Sequence, residues 1–172
     1  WQNEGKKYRL SVTSKQLKQL NRQIGKLAQY CWDHELTRFR FHEDIVCKFL
    51  GEQGNDSSLF NLVLKLGWLN KVGEDVNNKN KNIYAFFHPS FTEYFAAVGI
   101  EDSRFFFNHI SYNPNHSMAS YRIFDTQWRE VFLLWLGRED LAKSKKNRLI
   151  NALTTFKDGW DGYYQYQAYF MA

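Results

Sequence analysis

Apolar residues spaced three and four apart alternate with polar punctuation through the first half of the chain. Leu17, Leu20, Ile24, Leu27, Ala28 and Cys31 predict an amphipathic helix over residues 15–34, opened by Thr13 or Ser14. Its outer face carries Lys15, Lys18, Arg22 and Lys26, a pattern that keeps a helix solvated. Residues 1–13 are polar, with Tyr8, Leu10 and Val12 alternating, and predict an extended lead-in. Phe39-Arg40-Phe41 alternates as a short strand or extended linker does, and His42 stands where a cap is needed. Ile45, Val46, Phe49 and Leu50 predict a second helix over residues 43–50, stopped by Gly51. After a loop and cap at residues 54–57, Leu59, Phe60, Leu62, Val63 and Leu66 predict a third, stopped by Gly67.

The period then changes. Residues 68–73 read as a strand, residues 74–82 as a polar loop rich in Asn and Lys, and residues 82–87 as the returning strand. Pro89 biases His88 away from helical backbone, so the strand ends at a corner and a helix opens at Pro89 or Ser90. Ser90 and Glu93 have capping-box spacing, and Phe91, Tyr94, Phe95 and Val98 predict the buried face of that helix. Helix, short strand, two helices and a hairpin with a polar tip is the order of a winged-helix domain.

Beyond Ile100 the composition shifts. Residues 101–107 predict a short helix, and residues 108–120 a loop in which His109 and His116 lack partners at metal-ligand spacing. Asp125 caps a helix whose Trp128, Val131, Phe132, Leu134, Trp135 and Leu136 predict burial nearly all round. Residues 141–156 predict an amphipathic helix with Leu149, Ile150, Leu153 and Phe156 inward. A turn at residues 157–162 leads to an aromatic helix from Tyr163. The fold class is therefore mostly α with a small β-hairpin: a lead-in (1–13), a winged-helix domain (14–100) and an α-helical domain (101–172).

Composition sharpens this picture. In 172 residues, 44% hydrophobic and 18% aromatic content supports a real core. No apolar window approaches the roughly 18 residues of a membrane span, and no basic-then-apolar segment reads as a signal peptide. Cys31 and Cys47 fall inside predicted helices without zinc-site pairing, so reduced thiols and a cytoplasmic setting are expected. The net charge of +5 is scattered, and its densest cluster, Lys143, Lys145, Lys146 and Arg148, suits a solvated helix face. The chain opens on Trp1 and stops inside an apolar helical pattern, which leads us to expect a piece of a longer protein.

No catalytic signature accompanies the fold. A phosphate-binding loop needs Gly-x-x-x-x-Gly-Lys-Ser/Thr, and Gly51 to Gly54 is too short and leads into no Lys-Ser pair. Neither a Gly-x-Ser-x-Gly elbow nor a His-Glu-x-x-His pair occurs. His42-Glu43-Asp44 and Asp158 with Asp161 place acids and a base together, but beside caps and turns, where charged residues are ordinary. Taken alone, an aromatic strand feeding an aromatic helix is core and its corner histidine is structural; no enzyme activity is expected of the chain by itself.

The run from Phe86 to Ala97, Phe-Phe-His-Pro-Ser-Phe-Thr-Glu-Tyr-Phe-Ala-Ala, resembles the segment that closes the winged-helix domain of NACHT-family STAND NTPases, which include animal NLR receptors and many cyanobacterial proteins. The family pattern is aromatic-x-His-x-Ser/Thr-Phe-Gln-Glu-Tyr/Phe-aromatic-Ala-Ala. This chain departs from it at Thr92, where Gln is usual, a change expected to alter a surface hydrogen bond. Residues 126–137, Thr-Gln-Trp-Arg-Glu-Val-Phe-Leu-Leu-Trp-Leu-Gly, are similar to a helix that follows the winged helix in many NACHT proteins. The end of the chain, from Tyr164, looks like the helix leading into HEAT-like repeats, which would lie beyond Ala172.

The resemblance implies a regulatory, signal-transducing segment, in defence signalling among other settings. Its winged helix closes on the parent protein's NACHT nucleotide domain, and its helical domain relays sensing by C-terminal repeats. It implies that His88 contacts the phosphate of ADP held by that domain. ADP or ATP with Mg belongs to the parent, and no cofactor to the segment. Activation would bring oligomerisation. The alternative is a winged-helix DNA-binding module with residues 77–82 as wing and residues 57–66 as recognition helix. That helix holds Lys65 and no arginine, a poor reader of DNA, so nucleic acid is disfavoured. A third reading makes the aromatic surface a docking face for the rest of the parent chain, without separate activity.

Overall fold

A computed structural model of the chain describes residues 13–34, 39–54, 58–76, 78, 81–107, 121–157 and 163–172. It is mostly helical with a small antiparallel sheet, and the first elements follow the order expected from the sequence. Helix α1 (Ser14–His34) opens with a capping box. Thr13 N donates to Gln16 Oε1 (3.0 Å) and Gln16 N to Thr13 Oγ1 (3.2 Å). Leu20, Ile24, Leu27, Ala28, Cys31 and Trp32 are buried along one stripe. Leu17, expected inward, is 42% exposed because the core begins one turn later.

Strand β1 (Phe41–His42) leads directly into α2 (Glu43–Leu50), and α3 (Leu59–Lys65) follows. Gly51, at φ 84°, ends α2 in backbone that a side chain would strain. Helix α3 is capped by Ser58, whose Oγ accepts from Asn61 N at 3.2 Å. Strands β2 (Leu69–Glu74) and β3 (Asn82–Phe86) form the hairpin. The sheet gains a third strand because β1 pairs with β3, giving the order β1-β3-β2. Phe41 lies opposite Tyr84 and Leu69 opposite Phe86, so the alternation along β3 buries Tyr84 and Phe86 and leaves Ile83 and Ala85 on the outer face. A register shift between Lys71 and Gly73 bulges β2.

Helix α4 (Pro89–Gly99) lies against α1 at backbone contact. A Cβ on Gly25 would stand 2.5 Å from Gly99 Cα, and one on Gly99 would stand 2.8 Å from the Gly25 carbonyl carbon. Gln29 Nε2 donates to Ala96 O (3.1 Å) beside this crossing. The close approach turns Thr92, Phe95, Ala96 and Ala97 inward. The expected face is therefore corrected: Phe95 is buried, Phe91 and Val98 are half-buried, and Tyr94 is 51% exposed. Thr92 is corrected as well. It is fully buried and its hydroxyl has no partner among the described residues, so the departure from Gln falls inside the fold. An unpaired buried hydroxyl costs about 1–3 kcal/mol.

Residues 103–107 form a 3-10 turn rather than an α-helix, and residues 126–128 another before α5 (Arg129–Gly137). Asp125 caps the second turn by accepting from Gln127 N at 2.7 Å. Helix α5 buries Val131, Phe132 and Trp135 but exposes Leu133 and Leu134, so it is one-sided and not buried all round. Helix α6 (Lys143–Thr154) buries Leu149 and Leu153; Ile150, expected inward, is exposed. Phe156 lies beyond that helix, packed edge-on against Tyr121. Helix α7 (Tyr163–Met171) presents Tyr166, Tyr169 and Phe170 outward.

Buried residues on either side of Ile100 belong to one cluster. Trp32 Nε1 donates to Gln127 O (3.1 Å) and its ring meets Trp128 edge-on. The buried Arg122 guanidinium forks onto Asp33 at 2.7 and 3.2 Å and stacks over the Phe105 ring. Arg138 Nη1 reaches the carbonyls of Ala97, Val98 and Ile100 at 2.9, 3.1 and 3.0 Å, and Trp135 Nε1 donates to Ile100 O (3.0 Å). At Val98 and Ile100 these groups satisfy carbonyls that the end of α4 leaves free, while the Ala97 carbonyl also accepts from Ile100 N at 3.2 Å.

Two outcomes follow for unfolding in urea. Gly99→Ala is expected to lower stability by about 1–3 kcal/mol, because backbone stands where the methyl must go. Arg122→Met is expected to cost about 3–5 kcal/mol by leaving Asp33 charged and buried. Adding Asp33→Asn to that variant recovers part of the loss.

Candidate functional site

The corner between β3 and α4 is built by Pro89. As the first residue of the helix it forgoes a backbone donor that would be free in any case. It also holds His88 extended, at φ −139° and ψ 145°, the backbone of a helix cap. His88 Nδ1 accepts from Ser90 N at 3.2 Å and lies 2.7 Å from Ser90 Oγ. Ser90 thus stands inside the first turn, and the expected Ser90 and Glu93 capping box gives way to a histidine cap. An Nδ1 that accepts an amide proton carries none itself, so the neutral ring holds its proton on Nε2. That donor belongs to an exposed side chain and has no partner among the described residues.

His88 follows an exposed aromatic ring and lies within electrostatic reach of Glu93. Phe87, immediately before it, is 72% exposed. Across the surface from α4 to α5, a hollow of about 380 Å³ is lined by Tyr94, Val98, Leu133 and Leu134, with Glu130 and Arg138 as its charged members. Burial pushes the Glu93 carboxyl above its usual range, the like charge of Glu130 adds to the effect, and His88 opposes it.

Other candidate groups have structural employment. His42 makes no side-chain cap to α2; its Nδ1 lies 3.0 Å from Asp75 Oδ2. Glu43 accepts from Asn82 N and Nδ2, both at 2.8 Å, and Asp44 pairs with Lys81. The His-Glu-Asp run therefore ties the root of the hairpin to α2. Burial pushes the Cys47 thiol up to about 11, with nearby Glu52 adding to it, so this thiol is not poised as a nucleophile. Lys145 Nζ donates to Glu101 O at 2.9 Å. Among the described residues no group of His, Cys, Asp and Glu is placed to hold a metal ion, and no helix is long and apolar enough to cross a membrane. His109, His116, Asp158 and Asp161 lie outside the described residues, as do residues 1–12 of the lead-in and the wing residues Asn77, Lys79 and Asn80.

Sequence reasoning singles out His88 but misses its cap role and two long-range contacts elsewhere in the fold. The cap role is masked by the stronger Ser-x-x-Glu signal. Arg138 and the Asp33 and Arg122 pair join residues too distant in sequence for any periodicity to mark. Comparisons of the chain with known proteins matched no family model, no curated protein and no solved structure.

A raised Glu93 carboxyl binds its proton more tightly in the folded chain than in the unfolded one, so folding weakens as pH rises through that interval. Glu93→Gln is expected to raise the thermal midpoint at about pH 7 and to leave it unchanged at about pH 3, where both states are protonated. Thermal unfolding followed by circular dichroism across that range is the check.

Proposed function

We propose that this chain is the regulatory, signal-transducing segment of a NACHT-type NTPase switch, without catalysis of its own. The observation that carries the reading is the free Nε2–H of His88, held outward by the cap beside exposed Phe87, on a chain that also leaves Tyr94, Leu133 and Leu134 uncovered between α4 and α5. A face of that kind suits docking against a nucleotide domain, with the imidazole donating to a phosphate oxygen of ADP. The family pattern read in residues 86–97 and 126–137 supplies the identity of that partner. ADP, and ATP with Mg, would be held by the partner domain in a cytoplasmic parent protein. Repeats following α7 would supply the sensed signal, and activation would end in oligomerisation. A ligand that binds the closed arrangement better shifts the population toward it, which is all such a switch requires.

DNA binding draws no support from the wing root, where Lys81 is engaged by Asp44, nor from α3, whose single cation is Lys65.

Two substitutions separate nucleotide contact from helix capping in the protein carrying its nucleotide domain. His88→Ala removes both the cap and the donor. His88→Asn keeps a side chain that caps well but falls short of the ring's reach. Both are expected to weaken ADP retention about tenfold to a hundredfold, the worth of one hydrogen bond to a charged group, and to raise basal signalling. Only His88→Ala is expected to lower the stability of the segment, by about 1 kcal/mol. Unchanged ADP occupancy in both variants would refute the proposal.

A further inference from the structure

On helix α1 the exposed Lys15, Lys18, Arg22 and Lys26 follow one line opposite the buried stripe, about 16 Å from first to last. The fold sets a second basic group against that line. The Glu101 carboxylate meets Arg22 at 3.4 Å, and the Glu101 carbonyl accepts from Lys145 Nζ at 2.9 Å, so the start of α6 borders α1 at residues 101–104. On that border Arg104 is exposed and pairs with Asp102 at 2.8 Å, and Arg148 lies within electrostatic reach of the same carboxylate. An open hollow of about 440 Å³, with Gln29, Asp102 and Arg104 in its walls, marks the junction. Seven cations thus meet two carboxylates, Glu101 and Asp102, and Asp140 at the rim is held by Arg138. That excess equals the chain's whole net charge of +5, and its other charges balance.

A mixture of charges would solvate these helices as well and stabilise them better. Along α1 the cations stand three or four residues apart, where like charges repel. Lys15 sits in the first turn of α1, and Lys143, Lys145 and Lys146 in the first turn of α6, where the helix dipole disfavours cations. Neither helix has an acid in that turn. Lys15, Lys18, Lys26 and Arg148 make no ion pair among the described residues.

We propose that this face binds the phosphate backbone of duplex DNA without reading its sequence. A polyanion removes the repulsion between the cations and gives up its own counterions, which is the source of nonspecific affinity. A single strand would need exposed rings for its bases to stack on, and Phe105, the ring at the hollow, is half-buried beneath Arg122. A bilayer would need apolar side chains between the cations, and the line on α1 has none. Glu101 and Asp102 are already engaged, which leaves no carboxylate to accept from a 2′-hydroxyl and favours DNA over RNA. The face lies apart from the wing and α3, through which a winged helix reads DNA. It shares no group with the His88 donor and stands independently of the nucleotide proposal.

The probe is a fluorescein-labelled DNA duplex of mixed sequence, titrated with the 172-residue chain and followed by fluorescence anisotropy between about 50 and 200 mM NaCl. Saturable binding is expected with a Kd of about 1–100 μM near physiological salt, and with log K falling against log salt at a slope of about −3 or steeper. Lys18→Gln, Lys26→Gln and Arg148→Gln are each expected to weaken binding and to make that slope shallower by about one. All three positions are exposed, and their thermal midpoints are expected to hold or rise because repulsion is removed, so lost binding is not lost fold. Lys65→Gln combined with Lys71→Gln, on α3 and β2, is expected to leave binding unchanged. No saturation up to about 100 μM chain at about 50 mM NaCl would overturn the proposal. So would an unaltered slope in all three variants, or an equal loss in the Lys65 and Lys71 variant. Competition by polyglutamate or by phosphatidylserine vesicles as strong as that of unlabelled duplex, charge for charge, would overturn it in favour of an acidic protein or a membrane.

Discussion

The crossing of α1 and α4 at Gly25 and Gly99 is the constraint on which the rest of the arrangement depends. Backbone meets backbone there, with no space for a Cβ on either side. The rotation of α4 about its own axis is thereby fixed: Thr92, Phe95, Ala96 and Ala97 go inward, and Tyr94 must go out. Its C-terminal carbonyls are brought within reach of Arg138 and Trp135, which anchor α5 to the same helix. On the opposite end, the same rotation leaves His88 exposed at the corner. One close helix contact therefore positions the sheet, the second half of the chain and the candidate site together.

Much of this order is legible in the sequence because it is local. Helices and strands announce themselves through the spacing of Leu20, Ile24 and Leu27 or the alternation around Tyr84, and Gly51 and Gly67 stop helices where expected. What sequence reading misses is where local signals compete with tertiary ones. Tyr94 and Val98 carry more side-chain surface to bury than Ala96 and Gly99. The smaller residues nevertheless win the core side, because helices can approach only where side chains are short. Phe39-Arg40-Phe41 leaves strand and linker open; pairing with Tyr84 and Ile83 makes a strand of Phe41 and His42 alone, and Phe39 and Arg40 lie before it. The two 3-10 turns at residues 103–107 and 126–128 keep helical spacing while tightening the backbone, so periodicity cannot distinguish them from α.

The candidate site is legible as a corner and illegible as a cap. Histidine is a minor N-cap residue, and Ser90 with Glu93 offers the more familiar reading. Pro89 decides between them, because a proline at the first helical position leaves only the preceding side chain to reach the amide of Ser90. Thr92 shows the reverse difficulty. Its place in an amphipathic pattern reads as solvent-facing, yet the packing of α4 buries it beside a cavity where its hydroxyl is unpaired.

The cap also constrains which form of His88 can serve a phosphate. Protonation would place a hydrogen on Nδ1, end its bond from Ser90 N and leave that amide without its cap. A cationic His88 would gain attraction for an anion while loosening the first turn that aims it. The neutral ring has no such conflict: Nδ1 stays on the helix and Nε2–H faces outward. The acidic neighbours weigh the other way, since Glu93 and Glu130 repel a phosphate drawn near. The upward push on the Glu93 carboxyl eases that repulsion when the proton is taken up. In the proposed switch a nucleotide contact would therefore be best made by a neutral donor supported by a partner's own cations, with His88 supplying direction and the partner supplying charge.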